Sequence, residues 1–220
     1  MKNQILFLLF CLFILFSCGP NFDSYKEYHY LNEEVKKWWV PDSAQSNFDM
    51  VCSDSSVVTF SRIFNDTTFS YIKMGLGFME NEKYVEESFN QSFKTSIGQD
   101  FYIYMQPAQP NRGNTINFWL YNTEFIYDAD NKIITSVMTG HGWEWLHSSP
   151  DGQQAFLNSS AEILDSISIQ NKLYENVLLL KINDLQSYWD SITIREFYYA
   201  QKIGLVKYIL NNNKVYERVW

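Results

Sequence analysis

The residue types best suited to chemistry lie in one short segment, which reads His141-Gly142-Trp143-Glu144-Trp145-Leu146-His147. Two imidazoles and a carboxylate are groups that zinc accepts as ligands, so a metal-dependent hydrolase is one function that this segment suggests. However, the helical zinc motif places its histidines four residues apart, with a glutamate beside the first. In an extended segment Glu144 would point away from His141 and His147. The spacing therefore favours ordinary surface histidines, and we keep the hydrolase as the alternative function.

A second interpretation of this segment is a sugar-binding face. Trp143 and Trp145, together with Trp119, offer flat apolar surfaces, and nearby Asn and Asp side chains would hydrogen-bond hydroxyl groups. Aromatic residues make up 18% of the chain, so most of them must serve the core. The acidic run Asp128–Asn131 lacks the glycine and the closing glutamate of a calcium loop, so we expect a turn there. We predict no catalytic residue, no bound metal and no cofactor.

The N-terminus has the pattern of an export signal. Lys2 precedes an apolar run of 12 residues, Ile5–Phe16, which is shorter than the roughly 20 residues of a membrane-spanning helix. This pattern predicts a signal peptide over residues 1–17. The segment Leu15–Gly19 resembles the lipobox of bacterial lipoproteins, and the resemblance implies cleavage before Cys18 and lipid attachment to its sulfur. Several acyl chains on Cys18 would hold the protein firmly on a membrane.

Charge and cysteine content limit the other partners. The formal net charge is −8, and an acidic chain is poorly suited to nucleic acid or to anionic lipid surfaces. Cys11 would leave with the signal peptide and Cys18 would carry lipid, so Cys52 would remain alone as a buried structural thiol. The residues after Cys18 contain no acidic run resembling a surface-export signal. We therefore expect the protein on the periplasmic face of the outer membrane.

The C-terminal third predicts an antiparallel meander. Glu162–Ile169 alternates with the period of two that is typical of a strand. The polar groups Gln170–Lys172 and Asn211–Asn213 favour tight turns. The predicted strands are Glu162–Ile169, Leu173–Ile182, Ile192–Gln201, Gly204–Leu210 and Lys214–Trp220.

Three segments of this meander carry a resemblance to known sequences. Ser166–Ile169, Tyr174–Leu178 and Tyr198–Lys207 resemble the C-terminal meander of uncharacterised secreted lipoproteins from Bacteroidota-type bacteria. The resemblance implies a β fold and an envelope location, and it implies no activity.

The first half of the chain gives a mixed prediction. Helical spacing favours a helix over Tyr25–Trp39, capped by Asp23 or Ser24, whose apolar stripe packs on a sheet. Its aromatics are alternatively interfacial membrane anchors. A hairpin around Asn65–Thr67 and a second helix within Glu80–Ile97 follow. Further strands are predicted at Val57–Phe64, Thr68–Met74, Phe101–Met105, Thr115–Tyr121, Thr123–Tyr127 and Lys132–Thr139.

Together these patterns predict a mainly β (α+β) protein, an antiparallel curved sheet or open barrel with an N-terminal helix and room for a second. The expected organisation is a signal peptide (1–17), a lipidated tether (18–24) and a single domain (25–220). We expect a non-catalytic binding or accessory lipoprotein of the cell envelope. Its partners would be the membrane, through the lipid anchor, and an envelope protein or a small apolar or sugar ligand, with no nucleic acid.

Overall fold

A computed structural model describes residues 27–41, 46–74, 82–108, 113–139, 159–183 and 192–220. The predicted signal peptide, Cys18 and the segment 141–147 lie outside these residues. No helix in the described ranges is long and apolar enough to cross a membrane. The elements are β1 (Glu27–His29), α1 (Glu33–Lys36), β2 (Asn47–Cys52), β3 (Val57–Met74), β4 (Glu82–Thr95), β5 (Asp100–Gln106), β6 (Thr115–Leu120), β7 (Thr123–Asp128), β8 (Ile133–Thr139), β9 (Ser159–Ile169), β10 (Lys172–Ile182), β11 (Ile194–Ala200), β12 (Gly204–Leu210) and β13 (Val215–Val219).

The strands follow one path, β8-β7-β6-β5-β4-β3-β2-β13-β12-β11-β10-β9, and β1 pairs with β4 beside it. The chain divides into two compact units, residues 1–28 with 71–85 and residues 29–70 with 86–220. The described residues of the smaller unit all belong to strands. Within the larger unit, β8 and β9, the two ends of the path, lie near one another, so the antiparallel sheet is nearly closed into a barrel. The mainly β prediction is confirmed.

Strand alternation builds an aromatic core in the larger unit. Successive side chains of a strand point to opposite faces, and Phe101, Phe118 and Phe125 are buried on the inner face of β5, β6 and β7. They surround Phe197 of β11, whose ring centroid lies 5.1 Å from that of Phe118 and 5.9 Å from that of Phe101. The N-terminal and C-terminal halves therefore share one core.

The predicted C-terminal strands are all present as β9–β13. Turn residues adopt the left-handed backbone that tight turns need: φ is 49° at Gln170, 62° at Asn171 and 65° at Asn213. Asn176 also has a positive φ of 51° within β10. The nearby side chains of Tyr174 and Val177 do not belong to the main core. They pack in a second, smaller buried cluster with residues of β11 and β12.

The predicted helix Tyr25–Trp39 is largely wrong. Its described part forms β1 and the single-turn α1, which begins after Asn32, where the side-chain oxygen accepts a hydrogen bond from the Val35 backbone N–H at 2.9 Å. Of its apolar residues, Leu31, Val35 and Trp38 are buried as expected, whereas Tyr28 is 58% exposed. The Trp39 ring centroid lies 4.6 Å from that of Phe89. Both tryptophans therefore pack against the protein, and the membrane-anchor alternative stays a prediction for the exposed Tyr28 and Tyr30.

The predicted helix within Glu80–Ile97 is wrong, because the described residues form strand β4. Phe89 and Phe93 are four positions apart, and an even spacing places side chains on one face of a strand as well as one face of a helix. Ser88 and Ser92 are buried too, so β4 is covered on both faces. The backbone of β4 pairs with that of β5, with Phe89 opposite Met105. This pairing with a neighbouring strand favours a strand over a helix.

The hairpin predicted around Asn65–Thr67 is also wrong, since β3 runs through these residues without a turn. Side chains of β4 hold this polar stretch in the strand: the Gln91 amide donates to Asn65 Oδ1 at 3.1 Å, and the hydroxyls of Thr68 and Ser88 lie 2.9 Å apart. Because these partners are distant in sequence, local turn propensity alone gives the wrong structure. Strand β2 was not predicted.

Candidate ligand-binding site

Most residues singled out for function lie outside the described ranges. These are Cys18, His141, Glu144 and His147, together with Trp143 and Trp145. Trp119 is described, and it lies on β6 with 44% of its surface exposed. Trp119 is therefore the member of the predicted sugar-binding face that the structure describes.

The predicted turn at Asp128–Asn131 is confirmed. Asp128 Oδ1 accepts hydrogen bonds from the backbone N–H groups of Asp130 and Asn131, at 3.0 and 2.9 Å. Asp130 in turn accepts from the backbone and side chain of Asn114. In the described part of the chain, no group of three His, Cys, Asp or Glu residues is placed to hold a metal ion. These carboxylates therefore serve the turn.

A pocket opens on the outer face of β5, β6 and β7, opposite the aromatic core. Its volume is about 280 Å³, close to the lower end of the range for ligand sites, roughly 300–1,000 Å³. Strand alternation explains its composition, because the residues between the buried ones on each strand must face outward. The lining residues are Tyr102, Tyr104, Asn117, Trp119 and Glu124.

The strand register brings these five side chains together. Tyr102 of β5 lies opposite Trp119 of β6, and Tyr104 lies opposite Asn117. Trp119 is in turn opposite Glu124 of β7. Directly opposed Cβ atoms are about 4.5–5.5 Å apart, so three aromatic rings, an amide and a carboxyl group share one small area. Tyr102 is 45% exposed and Trp119 44%, which leaves much of both rings open to a ligand.

Hydrogen bonds anchor the aromatic side chains. Trp119 Nε1 donates to the backbone oxygen of Tyr121 at 3.0 Å. The Tyr102 hydroxyl donates to Asp100 Oδ2 at 3.2 Å, and the Tyr104 hydroxyl accepts from Gln106 Nε2 at 3.1 Å. Since each ring is held at its polar end, the pocket is largely preformed.

Glu124 carries the carboxyl group among the five lining residues. Burial raises the pKa of its carboxyl group, and the hydrogen bond from Asn117 Nδ2 to Glu124 Oε1, at 3.2 Å, opposes that rise. The other amide atom, Asn117 Oδ1, is buried and has no hydrogen-bond partner among the described residues. The pKa of the Tyr102 hydroxyl is also raised, first by burial and then by the charge of Asp100, so Tyr102 stays protonated at neutral pH.

The lining offers noncovalent chemistry. Aromatic faces stack on apolar surfaces and attract cations, while the amide and carboxyl groups orient a ligand by hydrogen bonds. A nucleophile activated by an adjacent base is not present among the five lining residues. The arrangement is therefore suited to binding.

Sequence reasoning identified Trp119 and missed the other four lining residues. The available signal was the segment Phe101–Met105, where tyrosines alternate with residues of the buried face. Such a strand has apolar groups on both faces, and one face must lie outside the core. What the sequence does not show is the neighbouring strand, so Tyr102 could not be matched to Trp119.

No protein-family model, curated protein or solved structure matches this chain.

Proposed function

We propose that this protein is a lipid-anchored, non-catalytic binding module of the bacterial cell envelope. Its ligand site is the pocket lined by Tyr102, Tyr104, Asn117, Trp119 and Glu124, which we call the aromatic pocket. The observation that carries the proposal is that three aromatic side chains line one cavity on the face opposite the core. The ligand is a small molecule with an apolar face, such as a sugar ring, that stacks on these aromatics.

The anchoring part of the proposal is supported by the sequence. The apolar run Ile5–Phe16 and the lipobox-like segment ending in Cys18 and Gly19 belong to an exported lipoprotein. Eight residues lie between Cys18 and Glu27, where β1 begins, and a fully extended chain spans about 30 Å over that distance. The binding unit would thus work close to the membrane, on the periplasmic face of the outer membrane.

Lipid attachment is tested directly. In cells grown with labelled palmitate, the wild-type protein is expected to carry label and to sediment with the outer membrane. Cys18→Ser should remove both properties, whereas Cys52→Ser, which changes the other cysteine that remains after signal cleavage, should keep them. A label that persists in Cys18→Ser would disprove the anchor.

The site is tested with full-length protein in detergent against a panel of saccharides and small apolar molecules, by titration calorimetry. Trp119→Ala is expected to weaken binding about tenfold or more, because stacking on an aromatic ring is worth about 1–3 kcal/mol per stacked base in nucleic-acid complexes. Phe64→Ala is the matched control, since Phe64 is also 44% exposed and does not line the pocket.

Two outcomes would reject the site. One is equal weakening of binding by Trp119→Ala and Phe64→Ala, which would indicate a nonspecific effect of surface aromatics. The other is failure of every compound in the panel to bind the wild-type protein. Recovery of an envelope protein crosslinked through Trp119 would point to an accessory subunit instead.

A further inference from the structure

The donors of the aromatic pocket are mostly used within the protein. Trp119 Nε1 donates to the Tyr121 backbone oxygen, and Asn117 Nδ2 donates to Glu124 Oε1. The Tyr102 hydroxyl donates to Asp100. Two donors of the lining side chains remain for a ligand: the Tyr104 hydroxyl, which accepts from Gln106, and the second N–H of the Asn117 amide.

The other groups that remain free are electronegative. Glu124 keeps its second carboxyl oxygen, since Oε1 is the atom that accepts from Asn117. The Oδ1 atom of the lining residue Asn117 is buried, and in the described part of the chain no donor compensates its partial negative charge. The faces of Tyr102 and Trp119 are also negative, because an aromatic ring carries its negative potential on its faces. None of the five lining side chains is basic.

From this distribution we infer that the ligand of the aromatic pocket is an organic cation, an ammonium group whose carbon substituents pack on the aromatic rings. The inference rests on the proposed function, because it names the ligand class of the same site. Cations are attracted to ring faces within about 6 Å of the centroid, and the attraction grows when the cation is desolvated. The three rings would surround the apolar substituents, while Glu124 neutralises the charge.

A neutral sugar fits this pocket less well. Each sugar hydroxyl both donates and accepts hydrogen bonds, and the pocket has few donors left for its oxygens. The burial of the Glu124 carboxyl group also favours a cationic ligand. Its pKa is raised by burial, and no ion pair to it exists in the described part of the chain. A bound cation would compensate for that loss of hydration.

Experiment can distinguish two kinds of organic cation, a trimethylammonium compound and an amino sugar. A trimethylammonium group is represented by choline, and its uncharged analogue 3,3-dimethyl-1-butanol has the same shape. An amino sugar is represented by glucosamine, with glucose as its uncharged analogue. Each pair differs in charge with little difference in size, so comparison within a pair isolates the charge.

The test is titration of full-length protein in detergent with these four compounds. We expect at least one cation to bind about tenfold more tightly than its uncharged analogue. Glu124→Gln should remove most of that difference. Glu175→Gln, which makes the same charge change at an exposed position of β10, should preserve it.

The outcomes separate the inference from the proposed function. Equal affinity for both members of each pair would overturn the cation inference and leave a ligand pocket for neutral molecules. A preference for the cation that Glu124→Gln does not reduce would also overturn the inference, because a group other than Glu124 would then recognise the charge. If none of the four compounds and none of the saccharide and apolar panel binds, both proposals fail.

Discussion

Replacing Phe197 by alanine is the sharpest test of the core. Phe197 is fully buried on β11, and its ring centroid lies 5.1 Å from Phe118, 5.9 Å from Phe101 and 6.2 Å from Phe125. It also stacks on Tyr199, with centroids 6.3 Å apart. The residue thus links the C-terminal meander to the three strands β5, β6 and β7.

The magnitude follows from these contacts. Truncating a buried phenylalanine to alanine costs about 3–5 kcal/mol, and each aromatic pair adds about 0.5–1.5 kcal/mol beyond the burial of area. We expect a loss near the upper end of this range, about 4–5 kcal/mol in the free energy of unfolding. Because a whole domain is stable by about 5–15 kcal/mol, the milder Phe197→Leu variant should be measured in parallel.

The assay is urea denaturation followed by tryptophan fluorescence. Phe64→Ala is the control, because Phe64 is 44% exposed on β3 and should change the unfolding free energy by less than about 1 kcal/mol. A double-mutant cycle of Phe197→Leu with Phe118→Leu measures the coupling across the core, expected at about 0.5–1.5 kcal/mol. Additive effects of the two variants, or a cost of Phe197→Ala no larger than that of Phe64→Ala, would refute the packing of β11 against β6.

Three further predictions use the same denaturation assay. Gly113→Ala should lower the free energy of unfolding by about 1–3 kcal/mol, because a Cβ there would lie 2.8 and 2.9 Å from the Asp128 carboxylate oxygens. An unchanged midpoint of urea unfolding would contradict this. Tyr121→Phe should lower the free energy of unfolding by about 1–2 kcal/mol, since it removes the hydroxyl that lies 3.1 Å from the buried Tyr208 hydroxyl. An unchanged free energy of unfolding would show that this contact is absent. Glu124 has a raised pKa, so the folded state holds this proton more tightly, and its contribution to stability is lost as pH rises through that pKa. Glu124→Gln should therefore gain stability relative to wild type between acidic and neutral pH, whereas parallel pH profiles would refute the raised pKa.

The C-terminal meander was predictable because its signals are local. Alternating apolar residues mark β9, and the asparagines near Asn213 suit a left-handed turn, so strand positions followed from neighbouring residues alone. The first half carries weaker signals. The four-residue spacing of Phe89 and Phe93 is compatible with a helix and with a strand, and Asn65 has the propensity of a turn residue although β3 continues through it.

By itself the sequence determined the mainly β class, the meander and the positions of its turns, and it predicts the export signal and the lipid-attachment cysteine, because each depends on residues adjacent in the chain. The tertiary structure decided which strands are neighbours. Tyr102, Trp119 and Glu124 come from three strands and meet through register, which depends on pairing across the whole sheet. The aromatic pocket is therefore a property of the folded sheet, since no single segment of the chain contains its five residues.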